Sequence, residues 1–171
     1  EGDIPASFAP TMERKDVYDE FVNHLLTFAD ISQMKPLRVL ADAGNGAAGL
    51  AMRALSPHLP LRIEEMLYEP DGQFPNGVPN PILQESRARI EEKLRANPGE
   101  YDFAVAWDGD YDRCFFLDGQ GNFIEGYYIV GVLAQAILSA DPSQTIIYDP
   151  RLIWNTLDIV QQYGGNAVLC K

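Results

Sequence analysis

Apolar side chains recur along this chain with two different periods. Residues 14–31 show the spacing of three and four that is typical of an amphipathic helix. The apolar stripe of this helix consists of Val17, Phe21, Leu25 and Phe28. From residue 36 onward, short apolar runs predict strands and the periodic segments between them predict helices, with strands at 37–42, 61–66 and 102–107 and helices at 47–56 and 82–96. Strands that alternate with helices pair in parallel through right-handed crossovers, so the pattern predicts an α/β fold.

A hairpin and a further helix follow the third strand. Apolar runs at 113–118 and 122–125 flank the turn sequence Gly-Gln-Gly at 119–121, which is a hairpin signal. A helix is predicted at 126–140. Its apolar face consists of Ile129, Leu133 and Ile137. We therefore expect a three-layer α/β/α fold with a mixed, mostly parallel sheet that ends in an antiparallel ribbon.

The same pattern divides the chain into three segments. Residues 1–35 contain two prolines and the first helix, and we interpret them as a linker and connecting helix from a missing domain. Residues 36–141 form one α/β domain. At residue 142 the pattern restarts, with a strand, a helix and a strand at 145–148, 152–163 and 167–170. We interpret residues 142–171 as the start of a truncated domain, because this βαβ unit has an unpaired edge and an uncovered face.

The composition limits the kinds of molecule that the protein is expected to bind. Of the 171 residues, 46% are hydrophobic and 22% charged, and the net charge of -12 comes from 13 basic and 25 acidic side chains. A surface of this charge argues against binding nucleic acid or an anionic membrane, so a small-molecule partner is expected. Both cysteines, Cys114 and Cys170, lie in apolar runs, which predicts buried structural thiols and a cytoplasmic, reducing location.

An acidic loop stands out between two apolar runs. Asp108, Asp110 and Asp112 occupy alternate positions, and three carboxylates held this close favour a hard divalent cation such as Mg²⁺. A calcium hand is excluded because Arg113 and Gly119 stand where that motif requires glycine and glutamate. A solvated acidic turn remains the alternative. Arg113 favours the metal site, since an arginine beside the ligands could bind a phosphate that also touches the ion.

Two further loops carry weaker signals. The sequence G-N-G-A-A-G at 44–49 matches the dinucleotide-binding pattern, and Glu64 lies near the end of the next strand. The carboxylate of Asp42 would face an incoming pyrophosphate, so a tight packing turn is the favoured interpretation. The segment 70–81 contains four prolines, which indicates a stiff loop with either a functional or a scaffolding role.

Together these motifs resemble the α-D-phosphohexomutases, the phosphomannomutase/phosphoglucomutase family. The resemblance rests on D-G-D-Y-D-R at 108–113, which matches the family's metal loop D-G-D-x-D-R. It is supported by D-A-G-N-G-A-A-G at 42–49, F-P-N at 74–76, P-N-P at 79–81 and Y-G-G at 163–165.

The resemblance implies a fold, a reaction and a set of roles. Residues 1–35 would connect from a first domain, 36–141 would form the second and 142–171 would begin the third of four. In this family a phosphoserine of the first domain phosphorylates a sugar monophosphate, the bisphosphorylated sugar reorients, and its other phosphate returns to the serine. Asp108, Asp110 and Asp112 would hold Mg²⁺ together with the serine phosphate, and Arg113 would contact the transferring phosphate.

The chain also departs from the family pattern. It lacks a T-A-S-H-N-P-like serine motif, a G-E-x-S-G-H sugar loop and a fourth-domain phosphate site, so we expect the isolated chain to bind metal weakly and to be inactive. Arg151 and Lys171 are further candidates for the active cleft, by resemblance.

We therefore expect a piece of an isomerase that acts on hexose phosphates, packed against the missing domains of the same chain, with the oligomeric state left open. The alternative is a non-catalytic module that binds a divalent cation or a dinucleotide.

Overall fold

The computed structural model describes residues 11–151 and 153–170. Within this part of the chain the helices are α1 (Tyr18–Leu25), α2 (Ala48–Leu55), α3 (Gln84–Ala96), α4 (Gly126–Ala140) and α5 (Trp154–Tyr163). The strands are β1 (Arg38–Asp42), β2 (Arg62–Met66), β3 (Phe103–Trp107), β4 (Cys114–Asp118), β5 (Phe123–Ile124), β6 (Thr145–Tyr148) and β7 (Asn166–Leu169). The predicted order of elements is confirmed.

The larger sheet has the strand order β2-β1-β3-β4-β5. Strand β1 pairs in parallel with β2 on one side and with β3 on the other, whereas β4 and β5 continue the sheet as an antiparallel ribbon. Asp42 at the end of β1 is opposite Met66 of β2 and Ala106 of β3. The carboxyl ends of three strands therefore meet at one edge. Strands β2 and β3 lie on opposite sides of β1, so the order of the strands reverses here. In α/β sheets, ligands bind in the crevice at such a point.

Each face of this sheet is covered by a helix. Leu40 points to one face and packs in a core with Ile90 and Leu94 of α3. Its neighbours in β1 point to the other face, where Ala41 packs in a core that includes Ala48 of α2. Alternate residues of one strand therefore belong to different cores, which is the burial expected of a strand covered on both faces. The three-layer α/β/α arrangement is confirmed.

The first helix is shorter than the periodicity predicts. Helix α1 ends at Leu25 and is followed by two short 3-10 turns, so the phase of the apolar stripe is lost after about two turns. Val22 is the residue that α1 buries, whereas Val17 and Phe28 are exposed at 51% and 73%. The predicted stripe is therefore wrong at both of its ends.

Helix α4 buries a different face from the one predicted. Its buried residues are Gly131, Ala134 and Leu138, which face α5, whereas Leu133 and Ile137 are about half exposed. Small residues allow a closer approach of two helices than the larger side chains of the predicted face would. Ala134 and Leu138 join Ile146 and Val160 in a core beside the parallel β6–β7 pair. The division into domains at residues 36–141 and 142–171 stays a prediction.

Both cysteines are exposed, so the prediction of buried thiols is wrong. Cys114 begins β4 where the strand leaves the acidic loop, and Cys170 follows β7 in the small sheet, whose last strand is exposed along its length. An apolar run predicts a strand but does not say whether another layer covers it. The predicted linker at residues 1–10 and the candidate Lys171 lie outside the described residues. No helix in the described ranges has the length and apolar character needed to cross a bilayer.

Candidate metal centre

The carboxylates of the acidic loop converge at the crevice edge of the sheet. Asp108 directly follows β3, and one carboxylate oxygen from each of Asp108, Asp110 and Asp112 lies within 4.8 Å of the others. The loop turns tightly, because the amide of Tyr111 donates to the carbonyl of Asp108 and Tyr111 itself has a φ of 49°. The carboxylates of Asp108, Asp110 and Asp112 converge at this tight turn.

Arg113 neutralises the buried end of this cluster. Asp108 is 2% exposed, and its Oδ1 accepts the backbone amide of Arg113 at 3.1 Å while its Oδ2 accepts Nε at 2.8 Å. Burial acts to raise the pKa of Asp108, but the hydrogen bonds and the charge of Arg113 outweigh it, so the pKa lies below its ordinary value of 3.8. Asp108 is therefore an ionised carboxylate at neutral pH.

The donor set fits a hard divalent cation. Three carboxylates supply only oxygen atoms, which Mg²⁺ and Ca²⁺ prefer, and Asp110 and Asp112 are exposed. The loop supplies three protein ligands, which leaves coordination positions for water or phosphate. Arg113 balances Asp108 and touches Asp112 at 3.3 Å, so two negative charges of the cluster remain for an ion to offset. The structure therefore brings the three predicted ligands together, and their role as metal ligands stays a prediction.

The glycine loop, residues 43–47, lies directly against this centre. Each of four backbone amides in the loop donates to a protein acceptor. Gly44 donates to Oδ1 of Asp42 at 2.9 Å, Asn45 to the carbonyl of Leu67, Gly46 to that of Ala43, and Ala47 to that of Gly109 at 3.0 Å. A dinucleotide pyrophosphate needs such amides for itself. Their engagement favours the packing-turn interpretation of this loop.

Gly46 of this loop and Gly49 of α2 permit close backbone packing. A Cβ atom on Gly46 would lie 2.6 Å from the carbonyl oxygen of Gly109, and one on Gly49 would overlap the carbonyl of Tyr68. Gly46 therefore packs on the acidic loop, whereas Gly49 packs α2 against the chain after β2. A Cβ built on Gly109 would lie 3.3 Å from the ring of Phe74 and 3.6 Å from Pro79, both in the proline loop.

The proline loop, residues 70–81, is hydrogen-bonded to the glycine loop. Nδ2 of Asn76 donates to Oδ1 of Asn45 at 2.9 Å, and Nδ2 of Asn45 donates to the carbonyl of Glu69. From α3, Arg89 donates through Nε to Oδ2 of Asp42 at 2.7 Å and through Nη1 to the carbonyl of Asn76 at 3.3 Å. These contacts support the scaffolding interpretation of the proline loop.

The sequence alone did not identify Arg89 or Asn76 as part of this region. Arg89 is one of several charged residues on α3, and only the parallel crossover places it beside Asp42. Arg151, by contrast, lies after β6, where it makes a bidentate ion pair with Asp149 at 2.7 Å. Its side chain is 85% exposed. Its described contacts do not connect it to the acidic loop, so its role stays a prediction.

Comparison with known proteins agrees with this geometry. The sequence profile described as "Phosphoglucomutase/phosphomannomutase, alpha/beta/alpha domain II" matches residues 19–121, which is more than half of the chain. The chain belongs to the phosphoglucomutase/phosphomannomutase family. The matched segment runs from α1 to the β4–β5 turn, and it contains all three loops of the candidate metal centre.

Relatives in this family are longer than the chain. A protein of Xanthomonas campestris named "Phosphohexose mutases" is 48% identical in an alignment that covers 99% of this chain and 38% of that protein. A phosphomannomutase of Vibrio cholerae is 45% identical over 89% of this chain and 34% of its own length. The crystal structure of a family member from Burkholderia thailandensis superposes with a TM-score of 0.82 at 30% identity, covering 93% of this chain and 34% of that one.

Proposed function

We propose that this chain is the metal-binding part of a longer phosphohexomutase. The enzyme interconverts hexose 1-phosphate and hexose 6-phosphate, with mannose, glucose or both as the sugar. The observation that carries the proposal is the cluster of three aspartates beside Arg113, in a chain that belongs to this family. The relatives named above are mutases of this kind, and about two thirds of their length lies outside the matched region.

Within this proposal, each residue of the acidic loop has a defined task. Asp108, Asp110 and Asp112 hold Mg²⁺. Asp108 is the ligand whose position is fixed, because its side chain is buried and accepts the backbone amide of Arg113. When bound, Mg²⁺ neutralises charge on a transferring phosphoryl group. Arg113 orients Asp108, and its half-exposed guanidinium also contacts the same phosphate. Phosphoryl transfer depends mainly on positioning and charge neutralisation, and a loop held between two strands supplies both.

The remaining parts of the reaction lie elsewhere in the longer protein. A phosphoserine and the residues that recognise the sugar belong to its other domains, so the isolated chain binds metal weakly and has no mutase turnover. The longer protein works in a reducing compartment such as the cytoplasm, a location supported by the low number of cysteines, two in 171 residues.

The test replaces one ligand in the longer protein. Asp110→Asn removes a carboxylate that is exposed, so the fold is retained while mutase turnover is abolished. The control is Glu92→Gln, an equivalent loss of charge on the exposed face of α3, which leaves turnover unchanged. Near-normal turnover of Asp110→Asn with Mg²⁺ present would overturn the assignment. If the wild-type protein binds Mg²⁺ but interconverts no hexose phosphate, the non-catalytic cation-binding alternative is correct.

A further inference from the structure

Contacts from neighbouring loops supplement the hydrogen bonds that the acidic loop makes within itself. Gly109, between the first two ligands, is held from outside. Its carbonyl accepts the amide of Ala47, and a Cβ built on Gly109 would lie 3.3 Å from the ring of Phe74 and 3.6 Å from Pro79. The glycine loop and the proline loop therefore both lie close to the acidic loop between Asp108 and Asp110.

The contact between Gly46 and Gly109 is one of backbone on backbone. A methyl group at Gly46 would lie 2.6 Å from the oxygen of Gly109 and 3.0 Å from its Cα. Neither atom can rotate away as a side chain does, so the acidic loop itself would have to move. Gly46 has no positive φ, which means that alanine is excluded there by this contact and not by backbone conformation.

The ion pair between Asp42 and Arg89 stabilises the position of the glycine loop against Gly109. Asp42 is 1% exposed, and its two oxygens serve different partners, the amide of Gly44 and Nε of Arg89. The guanidinium of Arg89 also reaches the carbonyl of Asn76. One arginine on α3 therefore joins the turn after β1 to the loop after β2, and both of these loops lie close to Gly109.

We propose that Gly46 and the Asp42–Arg89 pair are positioning residues for the metal centre, although none of them is a ligand. They keep the carboxylates of Asp108 and Asp110 at the separation that a divalent ion requires. This inference rests on the proposed metal site. Residues that orient metal ligands from outside the coordination sphere commonly change metal affinity by about 10–100-fold when they are replaced.

The test measures the Mn²⁺ affinity of the longer protein by electron paramagnetic resonance of the free ion. Gly46→Ala and Arg89→Lys are each expected to weaken Mn²⁺ binding by about 10–100-fold. Arg89→Lys keeps the charge but cannot reach both Asp42 and Asn76 with a planar fork. Circular dichroism identifies a temperature at which every variant is fully folded, and the titrations are made there.

Matched controls separate positioning from general stability. Arg38→Lys alters another arginine–aspartate pair, with Asp102, at the opposite end of β1. Gly126→Ala adds a methyl group where no atom lies within 4 Å. Both controls should bind Mn²⁺ as the wild type does. If Gly46→Ala does not fold, Arg89→Lys alone decides the question.

The outcomes distinguish the two proposals. Wild-type affinity in Arg89→Lys, and in Gly46→Ala where it folds, would overturn the positioning role while leaving the metal site intact. Equal weakening in Arg38→Lys would also overturn it, because the effect would then reflect stability alone. If the wild-type longer protein shows no saturable Mn²⁺ binding, or if its Asp110→Asn variant binds equally well, the proposed metal site fails and this inference fails with it.

Discussion

Nη2 of Arg113 lies 2.5 Å from Oδ2 of Asp108, a carboxylate that is 2% exposed at the carboxyl end of β3. An ionised carboxylate this deeply buried needs a partner, and Arg113 is the partner that the loop itself supplies. The side chain of Arg113 is half exposed, so its remaining donors face solvent. Asp110 and Asp112 are exposed and close to the same point, which leaves the cluster negative where an ion would bind.

The ion pair between Arg38 and Asp102 should make stability depend on pH. The backbone amide of Arg38 and then its side chain hold the pKa of Asp102 below its ordinary value of 3.8. A lowered pKa in the folded state means that the stabilisation is present above the unfolded-state pKa and is lost as the pH falls through the folded-state pKa.

The melting temperature of Asp102→Asn should therefore lie below that of the wild type at pH 7, and the difference should vanish in acid. Thermal unfolding followed by circular dichroism from pH 7 downward checks this. A difference that stays constant across the whole range would show that the charge of Asp102 contributes nothing.

Glu91 should be a stabilising buried charge. It is 6% exposed and accepts hydrogen bonds from Arg87 at 2.7 Å and Arg95 at 3.1 Å, and Arg87 also stacks on the ring of Phe123. Glu91→Gln should lower the free energy of unfolding by about 1–3 kcal/mol, since charge-assisted hydrogen bonds are lost. The neighbouring exposed Glu92→Gln should change it by less than about 0.5 kcal/mol. Urea denaturation of both variants measures the difference, and equal effects would contradict the role of burial.

The contact between α4 and α5 should be sensitive to an added methyl group. A Cβ on Gly131 would overlap the side-chain amide of Asn155 and lie 2.8 Å from Ile159. Gly131→Ala should therefore destabilise the protein by about 1–3 kcal/mol through overpacking. Gly126→Ala on the same helix, where the space is open, should be neutral or stabilising. A neutral Gly131→Ala in the same denaturation experiment would show that the two helices separate readily.

The sequence predicted those features that depend on neighbouring residues. The strands β1 and β3 and the acidic loop between β3 and β4 were located correctly, because runs of apolar residues and alternate aspartates are local patterns. The face of α4 was wrong because periodicity shows which residues are apolar, not which partner covers them. Gly131 and Ala134 carry little apolar surface, yet they are the residues that the close approach of α5 buries.

The contacts that surround the acidic loop could not be predicted from the sequence for a related reason. Asp42 and Arg89 are 47 residues apart, and their contact exists because β1 and β3 are parallel neighbours with α3 across one face. The glycine pattern at 44–49 was visible but fitted two interpretations. Two structural observations distinguish a packing turn from a nucleotide site: the amides of the glycine loop already donate to protein acceptors, and Gly46 packs on Gly109.

The central claim is that the three aspartates form a divalent-cation site, and thermal unfolding with and without Mg²⁺ tests it most directly. Without Mg²⁺, Asp110→Asn should be as stable as the wild type or more stable, because one of three mutually repelling carboxylates is removed. With saturating Mg²⁺, the melting temperature of the wild type should rise, because a ligand that binds only the folded state stabilises it, and that of Asp110→Asn should not. Equal behaviour of the two proteins toward Mg²⁺ would contradict the account.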